Sequence, residues 1–148
     1  MLALDVTVIV CIGLLVGTEF SVSVFIDPVL SRLDESAQGA ATRLFAIRLG
    51  RSMPFWYAAS LLLLLAETFL RRHEPGLTPL IIADAIWATV IVLTILFLVP
   101  INNRMMQLDT GAFPEQARRA HDRWDRLHRI RVAALATAMI CCLLAVLR

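Results

Sequence analysis

Residues 79 to 99 read PLIIADAIWATVIVLTILFLV, a run broken only by Asp84 and two threonines. A helix needs about 20 mostly apolar residues to cross the hydrocarbon core of a bilayer, and this run supplies them. Three others resemble it. Val6 to Ile26 is apolar apart from Glu19 and a few hydroxyl side chains; Phe55 to Leu70 carries only Ser60, Glu67 and Thr68 as clearly polar residues; Val132 to Leu147 carries only Thr137. The second and fourth runs are short by themselves, and both extend into amphipathic flanks.

The bulk composition agrees. The chain has 148 residues, 59% of them hydrophobic and 18% charged, with mean hydropathy +0.75. A soluble domain of that size would have to expose much of its apolar material, whereas lipid accepts it on the outer faces of a bundle. No basic segment precedes the first run, its early charge is Asp5, and no small-residue cleavage site follows. It is therefore read as a retained helix and not a signal peptide. The expected fold is all-α: one transmembrane domain over residues 1–148, a four-helix bundle with spans near 5–26, 53–71, 79–100 and 129–147.

All fourteen basic Lys+Arg positions are arginine, and the net charge is only +2. That balance lends no support to a nucleic-acid role. Arg32, Arg43, Arg48 and Arg51 lie between the first two runs, and Arg104, Arg118, Arg119, Arg123, Arg126, Arg129 and Arg131 between the last two. Only Arg71, Arg72 and Arg148 fall on the other side. The positive-inside rule then places both arginine-rich connections in the cytoplasm and both termini outside, in a plasma (inner) membrane.

Local signals set the boundaries. Asp27-Pro28 ends or kinks the first span. Residues 36–52 have helical spacing and lead into the second span, with Pro54 near its start. His73-Glu74-Pro75-Gly76 is a turn, and Thr78-Pro79 reads as cap and first residue of the third span. That span is expected to end near Val99-Pro100. Thr110-Gly111 marks a break, and a helix of roughly 50 Å then runs from Phe113-Pro114-Glu115 to about Val146. Its arginine-rich first half should protrude into the cytoplasm. Gly13, Gly17 and Ser21 form a small-residue ridge, used either for packing within the chain or as a face for a homo-oligomer. Cys11, Cys141 and Cys142 sit in apolar runs and behave as small hydrophobes.

Glu19 is the most informative residue. An ionisable group deep in an apolar helix is costly and is a functional hypothesis by default. His121, Asp125 and His128 share one face of the last helix, as do Trp124, His128 and Arg131. Histidine titrates near neutral pH and moves protons; arginine holds an oxyanion through paired donors. Asn102, Asn103 and Arg104 follow the third span, and Arg48 and Arg51 precede the second. With the expected topology, all of these meet at the cytoplasmic end of the bundle, where a pocket within the membrane is expected. Asp5, Glu67, His73 and Asp84 mark the opposite end, as interface residues or as metal ligands. The paired Glu-x-x-His motifs of a diiron bundle, a nucleotide loop and CxxC spacings are absent from the sequence. No cofactor is required by the sequence; a metal at the inner end would draw on His121, Asp125, His128 and Glu19.

The Phe25-x-x-Pro28 turn, Met53-Pro-Phe-Trp56, Val99-Pro-Ile-Asn-Asn-Arg104 and Trp124-Asp-Arg-Leu-His128-Arg-Ile-Arg131 resemble the small four-helix membrane proteins of the anthrone oxygenase type, over nearly the whole chain. The resemblance implies a monooxygenase of polyketide biosynthesis that oxidises an anthrone to an anthraquinone with molecular oxygen and without a conventional cofactor. In that reading His128 or Glu19 removes a proton from the activated carbon, and Arg131 and Asn102 hold the resulting phenolate or enolate. Asn103, Arg104, Arg48, Arg51, Trp124 and Phe25 line the binding site, and a hydrophobic small molecule arrives from the bilayer. The competing reading is a non-enzymatic membrane protein that serves in transport, lipid binding or as a partner subunit.

Overall fold

The computed structural model describes residues 2–74, 77–108 and 113–146. They form four long helices: α1 (Leu2–Leu30), α2 (Glu35–Leu70), α3 (Leu77–Met106) and α4 (Glu115–Val146). Each is long and apolar enough to cross a membrane, and the chain is a multi-pass membrane protein of the all-α class. The expected turn at Pro75-Gly76, the break at Thr110-Gly111 and Arg148 lie outside the described residues.

Asp34 starts α2. Its backbone is extended, and its carboxylate accepts a hydrogen bond from the Ala37 N–H at 3.0 Å. That satisfies one of the free N–H groups of the first turn. The helix then runs to Leu70 without interruption. Pro54 therefore lies in the interior of α2, not near its start. It cannot donate to the Gly50 carbonyl, four residues back. Thr78 likewise sits inside the first turn of α3, which begins at Leu77.

Two further prolines, in α1 and α3, share a solution. Pro28 and Pro100 each follow a five-residue π-helical segment, Val22–Ile26 in α1 and Thr94–Leu98 in α3. There the Asp27 N–H bonds the Val22 carbonyl and the Val99 N–H bonds the Thr94 carbonyl, each five residues back. A proline ring collides with the carbonyl four residues before it. The wider turn moves that carbonyl aside. Both helices consequently continue past their prolines, and α3 reaches Met106 where the sequence predicted an end near Val99-Pro100.

Val8, Ile12 and Leu15 of α1, Leu64 of α2, Leu80, Ala83 and Trp87 of α3, and Leu135, Ala138 and Cys142 of α4 form the main core. The Trp87 indole donates to the Tyr57 carbonyl at 3.2 Å, and the Trp56 indole to the Cys11 carbonyl at 3.1 Å. Each bond ties two helices and gives a buried N–H its partner. Large apolar side chains also cover the outside: Val6, Val10 and Leu14 on α1, Phe55, Leu62 and Phe69 on α2, Val92 and Leu96 on α3, Ile140 and Leu144 on α4. Exposed patches of that extent suit lipid, not water.

At the α2–α3 end, Arg71 gathers carboxylates from two helices and the following turn. It donates to Glu67, to Asp5 at 2.9 Å and to Glu74 at 2.9 Å. Its hydrogen bonds to the Glu67 and Asp5 carboxylates hold the guanidinium above the ordinary arginine range. Asp84 takes a separate partner, the Thr68 hydroxyl at 2.7 Å, and His73 is exposed. The polar set expected here is thus organised by an arginine. Removing one partner of a buried ion pair strands the other, at a cost of roughly 3 kcal/mol. Arg71→Met should lower the thermal midpoint in detergent by several degrees, while the exposed Arg72→Met leaves it nearly unchanged.

Candidate functional site

Glu19 is 3% exposed and sits just before the wide turn of α1. A carboxylate at that depth needs its charge balanced. Arg131 of α4 supplies the balance, donating from Nη2 to Oε2 at 2.5 Å. Tyr57 of α2 donates its hydroxyl to Oε1 at 3.0 Å. Three helices therefore close on one carboxylate.

His128, 1% exposed, completes the group. Its Nε2 lies 3.1 Å from the backbone carbonyl of Glu19. A carbonyl only accepts, so Nε2 carries the hydrogen and Nδ1 is left as an acceptor. Nδ1 receives the second hydrogen of Arg131 Nη2 at 2.8 Å. One guanidinium nitrogen thereby bridges Glu19 and His128, whose Nδ1 and Oε2 are 3.2 Å apart. Arg131 Nη1 reaches the Thr94 hydroxyl at 3.5 Å, and its Nε is buried without a partner.

These residues line a cavity of about 730 Å³. That is within the range of roughly 300–1,000 Å³ usual for small-molecule sites. Its walls are mostly apolar, among them Met53, Ile91, Leu98, Met105 and Met106. Both π segments contribute, through Val22, Ile26, Thr94 and Ile95. Such segments recur at functional sites because they redirect side chains within a helix. A shallower groove of about 510 Å³ runs along Gly13, Gly17 and Ser21 and shares Val22, Ile26, Phe45 and Leu49 with the cavity.

Most residues singled out from the sequence meet here. Glu19, Arg51, Asn102, Asn103, His121, Trp124, His128 and Arg131 all line the cavity. Asn102 donates to the Ala46 carbonyl at 3.3 Å, and this close approach depends on Gly50: a Cβ there would fall 2.7 Å from the Asn102 amide nitrogen. Arg48 and Arg104 are exposed and lie off the cavity. Phe25 faces outward, edge-on to Phe20. Asp125 is bonded to Arg129.

His121 does not join Glu19. Its Nε2 is 3.8 Å from Asp27, and Trp124 stacks between it and His128. The combination of His121, Asp125, His128 and Glu19 is therefore not assembled as a metal site. Among the described residues no three His, Cys, Asp or Glu side chains are grouped to hold an ion. Tyr57, Asp27, Thr42 and Thr94 line the cavity and escaped the sequence reading. Tyr57 is the chain's single tyrosine and directly follows the Met53–Trp56 motif; a tyrosine inside an apolar run signals a hydroxyl in need of a buried partner. Asp27 stood inside the Phe25-x-x-Pro28 motif and was read only as a helix end.

The model of one protein family, anthrone oxygenase, matches residues 41–141. That segment contains Tyr57, Asn102, Trp124, His128 and Arg131, while Glu19 and Asp27 come from α1 ahead of it. No curated protein and no solved structure matches the chain. With about two thirds of its length matched, the chain belongs to the anthrone oxygenase family.

Proposed function

We propose that the chain is a membrane-embedded oxygenase that converts the methylene carbon of a flat, anthrone-like aromatic to a ketone with molecular oxygen. The observation that carries the reading is the Glu19–Arg131–His128 group at the wall of an apolar cavity, where Arg131 Nε has no partner. Glu19 takes a proton from the doubly activated carbon. The anion that forms spreads onto the ring oxygen, and the Arg131 guanidinium, with Asn102, stabilises it there. The electron-rich ring then reduces oxygen, a carbon–oxygen bond forms, and a hydroperoxide results. Loss of the second hydrogen from that carbon, with cleavage of the O–O bond, leaves the ketone and one water. The overall change, CH2 + O2 → C=O + H2O, is balanced. His128 holds Arg131 through Nδ1 and so positions the donor.

The substrate reaches the cavity from the lipid, through the groove along Gly13, Gly17 and Ser21. The arginine distribution supports a cytoplasmic position for the cavity end of the bundle, with both termini outside. Helix α4 has 32 residues and so extends about 48 Å; on this reading its arginine-rich half stands beyond the hydrocarbon core. Between the cavity and the Arg71 end, Val8, Ile12 and Leu15 are fully packed. That apolar barrier favours a closed reaction chamber over a path for ions.

Oxygen uptake by the detergent-purified protein with an anthrone tests the reading. Glu19→Gln should lower the rate by about 10²–10⁴-fold, the usual effect of losing a general base. Because that change also strands Arg131, the double variant Glu19→Gln/Arg131→Met should recover thermal stability while staying inactive. A Glu19→Gln protein with wild-type turnover sinks the mechanism. For the access route, Gly17→Trp should reduce kcat/KM about tenfold for the hydrophobic substrate. Val92→Trp, exposed on α3 and lining neither the groove nor the cavity, should not; equal effects of the two would remove the groove from the account.

A further inference from the structure

The cavity has a second polar pole that the proposed chemistry does not use. Asp27 is 8% exposed and Thr42 is 5% exposed, and both line the cavity. Asp27 Oδ2 and Thr42 Oγ1 are buried without a hydrogen-bond partner.

Thr42 departs from the habit of its neighbours. Thr7, Thr18, Ser21, Ser52, Thr89 and Thr137 each donate to the carbonyl four residues back. This is the ordinary way for a helical hydroxyl to satisfy itself. Thr42 makes no such bond although it is more buried. Asp27 likewise leaves one oxygen, Oδ2, without a partner, with Asp125 and His121 beside its carboxylate. Its Oδ1 is 3.8 Å from His121 Nε2, beyond hydrogen-bond length, and its charged neighbours on α4, Asp125 and Arg129, are bonded to each other. A buried polar atom left unmatched costs free energy. Two of them at the wall of one cavity point to a ligand that matches both.

The position of this pole limits the ligand. Asp27 closes the π segment of α1 and Thr42 lies near the start of α2, so the hairpin between the helices holds both at one end. Eight residues of helix separate Asp27 from Glu19, or about 12 Å along the axis. The intervening lining is mostly apolar, including Val22, Ile26 and Ala46.

We propose that Asp27 and Thr42 recognise a hydroxyl group on the edge of the substrate remote from the carbon presented to Glu19. The ligand O–H donates to Asp27 Oδ2, and the Thr42 hydroxyl donates to the ligand oxygen. The substrate is then held by its two ends, with its flat apolar body between them. This proposal rests on the reading that the cavity takes a flat aromatic molecule, and it adds that hydroxylation of an outer ring is a specificity requirement. A site built around a hydrogen bond rejects the analogue that lacks it more strongly than an apolar pocket rejects a missing carbon.

Binding tests this independently of turnover. Tryptophan quenching in nanodiscs gives the Kd of 9,10-anthraquinone and of an anthraquinone hydroxylated on an outer ring, with Trp124 at the cavity wall as a reporter. Wild type should bind the hydroxylated compound about tenfold more tightly, the equivalent of one good hydrogen bond. Thr42→Val and Asp27→Asn, both close in shape to the native residues, should each bring the ratio to about one. Thr137→Val, a lipid-facing hydroxyl, should leave the ratio unchanged. Equal affinities in wild type, or a ratio that survives both cavity substitutions, overturn the proposal while leaving the oxygenase reading intact. No binding of either compound overturns the reading on which it rests, and the proposal with it.

Discussion

A carboxylate removed from water must be matched in charge and in hydrogen bonds, and Glu19 imposes that demand on the cavity end of this bundle. Arg131 answers the charge, Tyr57 takes the second oxygen, and His128 is locked by the backbone carbonyl of Glu19 and by the same arginine. These contacts tie α1 to α2 and α4 at one level. They also give the arrangement its chemical character. The carboxylate, the guanidinium and the imidazole stand within hydrogen-bond reach of one another at the wall of an apolar chamber. In such surroundings fixed charges act more strongly than in water.

The chamber itself comes from the backbone. Pro28 and Pro100 lie on α1 and α3, and each would break an ordinary helix. Each is accommodated by a five-residue π turn that ends two residues before it. The two wide turns border the cavity, so the residues that solve the proline problem also line the space. Gly50 works from the opposite wall: lacking a side chain, it lets Asn102 reach the Ala46 carbonyl and closes α3 onto α2. The Arg71 cluster at the far end is a separate structure with a structural role. It anchors α1 to the end of α2 and shares no residue with the cavity.

The four helices, their all-α class and their affinity for a bilayer were legible because hydropathy is a property of neighbouring residues. So was the gathering of Glu19, Asn102, His128 and Arg131, since depth along an apolar run can be counted from the sequence. Helix ends were less legible. An X-Pro pair reads as a stop, and nothing local announces that a π turn will carry α3 on to Met106. The choice of partners could not be read at all. Glu19 and Arg131 are 112 residues apart, and whether they touch depends on how each helix is rotated about its axis. That rotation is set by packing across the bundle. It sends His121 to Asp27 instead of Glu19, brings Tyr57 inward and turns Phe25 out to the lipid face. The sequence by itself determined which segments enter the membrane and how deep each polar group lies, because both follow from the order of residues along one helix. The tertiary structure alone decided which of those groups meet, because each burial of charge is satisfied by side chains from other helices.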